Sequence, residues 1–203
     1  MGDPTKFHSL WEYYAFNVVF TCLLFSELFI FFYTRQRDSC TQTAKRDHGT
    51  KWLLYGNFAF CLLVSICSVS QTAPTLLRQM VFPPFVADIG TAFTATGITI
   101  RLSAVLTLKK AFTLHVQTAA GQHLVRTGLY HAVRHPAYSG SILSLLGVVL
   151  TFRNIVAVCI VLFCCLICYS ARIRVEEKAL LAQFGAEYEG YKRSTHRLLP
   201  RIY

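Results

Sequence analysis

The residues best suited to chemistry lie in one polar stretch, residues 117–140, which reads QTAAGQHLVRTGLYHAVRHPAYSG. It holds two arginines and two histidines within ten positions, and it turns apolar after Pro136. Pro136 predicts the start of a helix, because the residue before a proline is pushed towards an extended conformation. The first N–H groups of a helix, together with its dipole, attract anions. Since Arg134 and His135 add positive charge there, the stretch predicts a site for an anionic group.

Two other interpretations of the same residues stay open. Arg134 could meet lipid phosphate while His135 caps a loop. His131 and His135 stand four positions apart, which is a spacing used by metal ligands, but Pro136 interrupts a regular helix across them. Because no cysteine or acidic residue lies nearby to complete such a site, no metal is predicted.

A second segment, ARIRVEEKALLAQFG at residues 171–185, is predicted to fold against the first and complete a pocket. Its composition favours a helix, on which Arg172 and Glu176, four positions apart, share a face and can pair. A plain juxtamembrane salt bridge is the simpler interpretation of that pair. Gly185 is predicted to end the helix in a left-handed cap. The opposite face is predicted to pack against the bundle through an apolar stripe of Leu180, Leu181, Phe184, Tyr188 and Tyr191.

The composition identifies the class of protein. Hydrophobic residues make up 54% of the 203 residues, charged residues make up 15%, and the mean hydropathy is +0.43. A soluble domain carries about a quarter charged residues. The apolar residues also cluster into runs that approach the ~20 residues of a transmembrane helix. We therefore expect an all-α integral membrane protein with one domain over residues 1–203, whose cofactor-binding and catalytic part covers about residues 101–203.

Five transmembrane helices are predicted, at about residues 11–33, 52–72, 85–102, 137–152 and 155–169, with an interfacial helix at 104–116 and a cytosolic C-terminal helix. Glu27 lies inside the first span and is expected to pair with a polar group of a neighbouring helix. Gly140 and Gly147 share a face of the fourth span, which allows close helix packing. The third span repeats small residues that mostly share a face, namely Ala87, Gly90, Thr91, Thr94 and Gly97.

The net charge of +10 follows the expected topology. Of the 20 Lys and Arg residues, five lie in residues 34–51, five in 101–135 and seven in 172–203. Positive charge beside short loops marks the cytoplasmic side, which puts the N-terminus outside and the C-terminus and polar site inside. This distribution argues against a nucleic acid partner and for contact with anionic membrane lipid. The membrane is expected to be the endoplasmic reticulum in a eukaryote or the inner membrane in a bacterium.

The cysteines do not indicate disulfides or a metal centre. Seven of the eight lie inside apolar runs, where cysteine behaves as a small apolar residue. Cys165 and Cys168 form a C-x-x-C motif, but it falls in the middle of a predicted helix. No redox or metal function is predicted for it.

Three segments together resemble the isoprenylcysteine carboxyl methyltransferase family. They are HLVRTGLYHAVRHPAYSG, RIRVEEKALLAQFGAEYEGYKR and the closing RLLPRI, preceded by the lead-in IRLSAVLTLKKAFTLHVQ. The resemblance covers roughly the C-terminal half of the chain. The combination of R-H-P-x-Y-x-G with E-E-x-x-L-x-x-x-F-G-x-x-Y-x-x-Y is highly specific, whereas either motif alone is only moderately so.

The resemblance implies a membrane methyltransferase that binds S-adenosylmethionine at the cytosolic face, outside any dinucleotide-type fold. It implies as substrate the prenylated C-terminal cysteine of a protein or a prenylcysteine-like lipophilic compound. Carried over by motif, Arg172 meets the substrate carboxylate and forms the catalytic pair with Glu176. The implied cofactor contacts are Gln117, Gln122, His123, Leu124, Val125, Tyr130, His135, Pro136, Ala137, Tyr138 and Glu176.

The chemistry of methyl transfer fits these residue types. The reaction is a displacement at a sulfonium carbon, and a carboxylate nucleophile is already ionised at neutral pH, so no general base is needed. Holding the two groups in line in a dry pocket supplies the rate. Arg172 can orient the carboxylate through a bidentate pair, and Glu176 can offset the positive charge of the cofactor. The helix start at Pro136 can take the cofactor's own carboxylate.

The sequence departs from the family pattern at two places. The family usually has a histidine where Gln122 stands, with His123 one place later here. Ser103 and residues 108–110 replace what is often a Trp and a Leu-Gly pair, which bears on the substrate tunnel.

Two other functions remain open. A related methyltransferase acting on phospholipid amines or another lipophilic small molecule would need a base, for which His135 is the only good candidate. A non-catalytic membrane scaffold is the second alternative, and the joint presence of Arg172, Glu176, His135 and Tyr138 argues against it.

Overall fold

Six α-helices and one short 3-10 helix make up the described part of the chain. The computed structural model describes residues 7, 9–38, 50–68, 80–108 and 124–198, with the side chains of residues 34–38, 50 and 51 left aside. Among the described residues the structure contains isolated β-bridges but no β-strand. The predicted all-α class is therefore confirmed. The helices are α1 (Leu10–Asp38), α2 (Thr50–Cys67), α3 (Phe85–Leu108), the 3-10 helix Gly128–His131, α4 (Pro136–Thr151), α5 (Ile155–Phe184) and α6 (Ala186–Ser194).

Each of the five predicted spans contains a helix, but the helices differ in length, and residues 69–72 of the second span lie outside the described residues. Three are long and apolar enough to cross a membrane: α1 over Leu10–Tyr33, α3 and α5. The apolar part of α2, Trp52–Cys67, and the whole of α4 are shorter. The 16 residues of α4 rise about 24 Å, which is less than the ~30 Å hydrocarbon core of a bilayer. The prediction of an integral membrane protein is confirmed. The predicted count of five membrane crossings depends on the two shorter helices, α2 and α4.

The antiparallel packing of α3 on α4 is the most extensive helix contact in the described chain. It depends on glycine, because a Cβ on Gly97 would lie 2.4 Å from the backbone nitrogen of Ser144, and one on Gly147 would lie 2.4 Å from that of Thr94. Gly90 and Gly140 make equally close approaches. The two predicted small-residue faces therefore meet each other, as helix packing in membranes favours.

A buried ion pair joins α1 to α3. The Arg101 guanidinium lies 2.8 Å from a carboxylate oxygen of Glu27, which confirms that Glu27 pairs with a neighbouring helix. Arg101 also donates to the Ala137 carbonyl at 3.4 Å and to the Ser141 hydroxyl. Although the charge distribution groups Arg101 with the cytosolic cations, its side chain is only 12% exposed and is held inside the bundle.

A tight turn links α4 to α5, as the sequence predicts. Arg153 occupies the left-handed region with φ 60°, and the Asn154 side chain caps α5 by accepting from the Ala157 N–H at 2.9 Å. The predicted fifth span and the helical segment after it form one helix, because α5 runs unbroken for 30 residues to Phe184. Residues 170–184 contain neither glycine nor proline, so nothing in the chain interrupts the helix before Gly185.

The end of α5 partly matches the predicted cap. Gly185 has a positive φ of 50°, but its ψ of −123° lies outside the left-handed helical region. Its N–H still donates to the Leu181 carbonyl at 2.9 Å, and α6 begins at the next residue.

Candidate active site

The hydroxyl of Tyr138 connects the two polar segments. It donates to the Glu176 carboxylate at 2.7 Å and accepts from Nε of Arg172 at 3.1 Å. Tyr138 lies in the first turn of α4, whereas Arg172 and Glu176 lie one turn apart on α5. The predicted shared face is confirmed, and the fully buried Arg172 side chain, 2% exposed, is held inside the protein rather than at the surface.

His135 lies directly before α4 and is buried beside Tyr138. The two rings are stacked, with centroids 5.8 Å apart and an interplanar angle of 17°. Nδ1 of His135 lies 3.9 Å from Glu176, and Nε2 lies 3.4 Å from Glu177. The backbone of His135 has φ −124° and ψ 55°, so only its φ matches the extended conformation expected before Pro136.

Glu177 is the anion that sequence reasoning missed at this helix start. Its carboxylate lies 3.1 Å from Nε of Arg134 and 3.0 Å from a terminal nitrogen of Arg197. The Glu177 carboxylate of the same chain therefore compensates the positive charge ahead of Pro136. The interpretation of Arg134 as a lipid phosphate contact is wrong, because its side chain is only 9% exposed. The adjacent acidic residue in the E-E motif was the available signal, but helical spacing from Arg172 favoured Glu176 alone.

The C-terminal segment fixes the residues before α4. The N–H groups of Arg134 and His135 donate to the carbonyls of His196 and Arg197 at 2.8 and 3.1 Å. The Ser139 hydroxyl donates to the Leu198 carbonyl at 2.6 Å. The resulting parallel pairing of Val133 with His196 places the first two residues of the closing motif, Arg197 and Leu198, against the candidate site. No local sequence pattern predicts this pairing, because 60 or so residues separate its two sides.

A cavity that is open to solvent lies next to this cluster. The hydroxyl of Tyr191, on α6, donates to the Tyr130 carbonyl at 2.6 Å and so secures one wall. The lining residues come from the end of α3, the segment between residues 124 and 134 that includes the 3-10 helix, the second half of α5, and α6: Leu108, Leu124, Val125, Tyr130, Arg134, Glu176, Leu180, Phe184, Tyr188 and Tyr191.

The structure places four of the predicted cofactor residues in the cavity wall: Leu124, Val125, Tyr130 and Glu176. His135 and Tyr138 lie beside it, in the polar cluster. Pro136 and Ala137 are buried at the start of α4, and Ala137 packs against Tyr130. The remaining three, Gln117, Gln122 and His123, lie outside the described residues, as do Lys109 and Lys110.

The predicted apolar face of this C-terminal region needs correction. Leu180 and Phe184 line the cavity together with Glu176, so they share its face of α5 instead of opposing it. Spacings of four residues put these three side chains in one row along the helix. Leu181 points outward and is 38% exposed. Tyr188 and Tyr191 are buried as expected.

The tyrosines around the cavity remain neutral at physiological pH. Burial raises the pKa of Tyr130, and the nearby Glu176 carboxylate raises it further. Burial likewise raises the pKa of Tyr191 to about 12, partly offset by Arg134. These phenols can donate hydrogen bonds, and they cannot serve as phenolate bases near neutrality.

Known proteins resemble this chain in both sequence and fold. The model of the isoprenylcysteine carboxyl methyltransferase family matches residues 90–182, a range that contains Tyr138, Arg172 and Glu176. A probable protein-S-isoprenylcysteine O-methyltransferase of Oryza sativa subsp. indica is 31% identical over 176 residues, covering 76% of this chain and 91% of that protein. The protein-S-isoprenylcysteine O-methyltransferase of Saccharomyces cerevisiae is 40% identical over 79 residues, covering 39% of this chain and 33% of that protein.

The fold is similar to the solved structure of a eukaryotic intramembrane Ras methyltransferase, with a TM-score of 0.61 and 23% sequence identity. That match covers 71% of this chain and 52% of the solved chain, so this chain spans about half of the solved protein. The resemblance read from the motifs is confirmed by the family model and by the rice relative. The chain belongs to the isoprenylcysteine carboxyl methyltransferase family.

Proposed function

We propose that this protein methylates the carboxylate of a C-terminal prenylcysteine, with S-adenosylmethionine as the methyl donor. The observation that carries the proposal is the Tyr138 hydroxyl, which holds the Arg172 guanidinium and the Glu176 carboxylate at one point beside the cavity. A cation for the substrate and an anion for the cofactor are thereby brought together. The names of the relatives, protein-S-isoprenylcysteine O-methyltransferases, support the same activity.

The cavity suits a cofactor that is flat at one end and positively charged in the middle. Its apolar and aromatic wall, with Phe184 and Tyr130, fits a heterocyclic ring. Glu176 also lines it, and a carboxylate there favours a cation. When bound, S-adenosylmethionine supplies a methyl group on a sulfonium centre. The residues proposed to hold it are Gln117, Gln122, His123, Leu124, Val125, Tyr130, His135, Pro136, Ala137, Tyr138 and Glu176.

Arg172 is proposed to bind and orient the substrate carboxylate. A carboxylate is ionised at neutral pH, so the chain needs to position it and does not need to remove a proton. A guanidinium can hold it through paired hydrogen bonds. Because Tyr138 fixes Nε of Arg172, the orientation of the guanidinium is set before substrate arrives. Burial of Arg172 keeps water away from the same point, which strengthens its attraction for a carboxylate.

The membrane setting fits a substrate with a prenyl chain. The prenyl group partitions into lipid, while the carboxylate must reach a polar site at the edge of the bilayer. The end of α5 carries both Arg172 and Glu176 beyond its most apolar part. The basic loops support placing this end of the protein in the cytosol. We propose the endoplasmic reticulum membrane for a eukaryotic host and the inner membrane for a bacterial one.

An amine substrate fits the geometry less well. An amine needs a base, and His135 is the candidate. Its ring is stacked on Tyr138, and Nε2 lies 3.4 Å from Glu177 within the internal charge cluster. His135 is thus engaged in positioning the start of α4. No observation on the described residues favours the phospholipid amine over the carboxylate.

In the experiment, membranes that contain the protein are incubated with labelled S-adenosylmethionine and with either a farnesyl-cysteine analogue or phospholipids. Label released by mild base from the prenylcysteine is expected, because carboxyl methyl esters are base-labile. Label found only in phospholipid headgroups contradicts the proposal. Arg172→Ala is expected to abolish ester formation while retaining cofactor binding. Arg174→Ala, an exposed arginine two positions along α5, is the matched control and is expected to remain active.

A further inference from the structure

In the described part of the chain, one buried hydroxyl at the cavity forms no hydrogen bond that would stabilise the fold. Tyr188, on α6, is 1% exposed, and its ring lines the cavity together with Glu176 and Leu180. Within the described part of the chain, its hydroxyl has no hydrogen-bond partner. Buried tyrosine hydroxyls almost always have one, because leaving such a group unpaired away from water is unfavourable. The hydroxyl therefore calls for a partner that the described part of the chain does not provide.

Tyr191, one turn further along α6, shows the contrast. It also lines the cavity, but its hydroxyl donates to the Tyr130 carbonyl at 2.6 Å. Its hydrogen bond joins α6 to the 3-10 helix and so has a structural purpose. Tyr188 and Tyr191 thus lie on the same helix and line the same cavity. Of the two, only the Tyr191 hydroxyl forms a hydrogen bond within the described part of the chain.

The surroundings of Tyr188 define what its hydroxyl can do. The charged groups that act on the pKa of its hydroxyl are Glu177, Glu176 and Arg134. Burial, reinforced by the two carboxylates, raises the pKa of the phenol, so the group stays protonated and can donate a hydrogen bond. The wall next to it is apolar and aromatic, with Leu180 and Phe184. A ligand here would present a flat or apolar body with a hydrogen-bond acceptor at its edge.

We propose that Tyr188 is a ligand-binding residue, whose hydroxyl donates a hydrogen bond to the adenosyl moiety of the cofactor. The inference rests on the proposed function, which assigns this cavity to S-adenosylmethionine. The adenosyl moiety offers ring nitrogens and ribose oxygens as acceptors, and its base matches the aromatic wall. Because the hydroxyl is enclosed in the described structure, the side chain has to turn towards the cavity, and that turn breaks no hydrogen bond.

The test compares Tyr188→Phe with Tyr191→Phe in the full chain, purified in lipid nanodiscs. The probes are S-adenosylhomocysteine and 5′-methylthioadenosine, which share the adenosyl moiety and differ in the amino-acid part. Tyr188→Phe is expected to weaken binding of both probes by about 10-fold, as the loss of one hydrogen bond does. Without ligand, this variant is expected to melt at the wild-type temperature or above. Tyr191→Phe is expected to melt below it, because that change removes a hydrogen bond within the protein.

Each other outcome overturns the inference. Unchanged affinity of Tyr188→Phe for both probes shows that the hydroxyl does not contact the ligand. A loss for S-adenosylhomocysteine alone places the contact on the amino-acid part. A melting temperature of the ligand-free variant below that of the wild type shows that the hydroxyl stabilises the fold. If the wild type binds neither probe, the proposed cofactor site itself fails, which differs from a failure confined to Tyr188.

Discussion

The guanidinium of Arg134 lies 3.1 Å from the carboxylate of Glu177, and the two side chains are only 9% and 10% exposed. Arg197 approaches the other oxygen of that carboxylate at 3.0 Å, and Nε2 of His135 lies 3.4 Å from the first. One carboxylate of α5 thus connects the residues that precede α4 with the C-terminal segment. All three parts border the proposed active site, so this cluster determines how they are placed relative to one another.

Glu177→Gln is expected to lower the free energy of unfolding by about 3 kcal/mol, because it removes the counter-charge of the buried Arg134 and of the half-buried Arg197. Thermal unfolding in detergent measures the effect. Glu187→Gln is the matched control, since Glu187 pairs with Arg126 at 3.0 Å but their side chains are 57% and 47% exposed. That exposed pair is worth less than about 1 kcal/mol. Equal melting temperatures of the two variants would mean that burial does not strengthen the Glu177 cluster.

Local patterns in the sequence predict much of this arrangement. Helical spacing places Arg172 and Glu176 on one face, and both do meet the Tyr138 hydroxyl. The repeated glycines of α3 and α4 predict close packing, which the structure shows at Gly97 and Gly140. These features depend on residues that are neighbours along one helix. For that reason they can be read without knowledge of the tertiary fold.

The features that the sequence does not predict depend on distant contacts. Glu177 follows Glu176 in the chain and has the same chemistry, and only its contacts with the distant Arg134 and with Arg197 show which way it points. The continuity of α5 is not predicted, because the apolar composition ends near residue 169 although the helix does not. The unpaired hydroxyl of Tyr188 could not be predicted either, since an unmade hydrogen bond leaves no pattern in a sequence.

Tyr138→Phe is expected to lower kcat by about 10-fold to 100-fold, because the change removes the hydroxyl between Arg172 and Glu176 and leaves the ring in place. Two hydrogen bonds to charged groups are lost, each worth about 1.5–3 kcal/mol, and part of that loss appears in the barrier. Initial rates with a farnesyl-cysteine analogue at saturating cofactor measure it. Tyr14→Phe, on an exposed position of α1, serves as the control and should retain the wild-type kcat. A wild-type kcat for Tyr138→Phe would exclude this hydroxyl from positioning Arg172.

The stability of the protein is expected to fall as the pH rises from about 10 to about 12. Burial raises the pKa of Tyr191 from its usual value near 10 to about 12, so the folded state favours the neutral phenol. A raised folded pKa contributes stability that is complete below pH ~10 and is lost as the pH approaches the folded value. Thermal melts across this range measure the loss. Tyr191→Phe is expected to melt lower at neutral pH and to show a shallower decline above pH ~10. An equally steep decline would assign the alkaline loss to other groups.

Gly97→Ala is expected to destabilise the protein strongly, because the added Cβ would lie 2.4 Å from the Ser144 nitrogen and 2.6 Å from the Gly140 carbonyl oxygen. Both contacts are with the backbone, so α3 and α4 have to move apart, at a cost of roughly 1–3 kcal/mol or more. Separation also displaces the start of α4, which carries Tyr138, so ester formation should fall together with the melting temperature. Gly190→Ala is the matched control, since a Cβ there meets no atom within 4 Å. On α6 it should raise stability by about 0.5–1 kcal/mol, because alanine loses less conformational freedom in a helix than glycine does. A melting temperature for Gly97→Ala equal to that of the wild type would show that the two helices are not held at this distance.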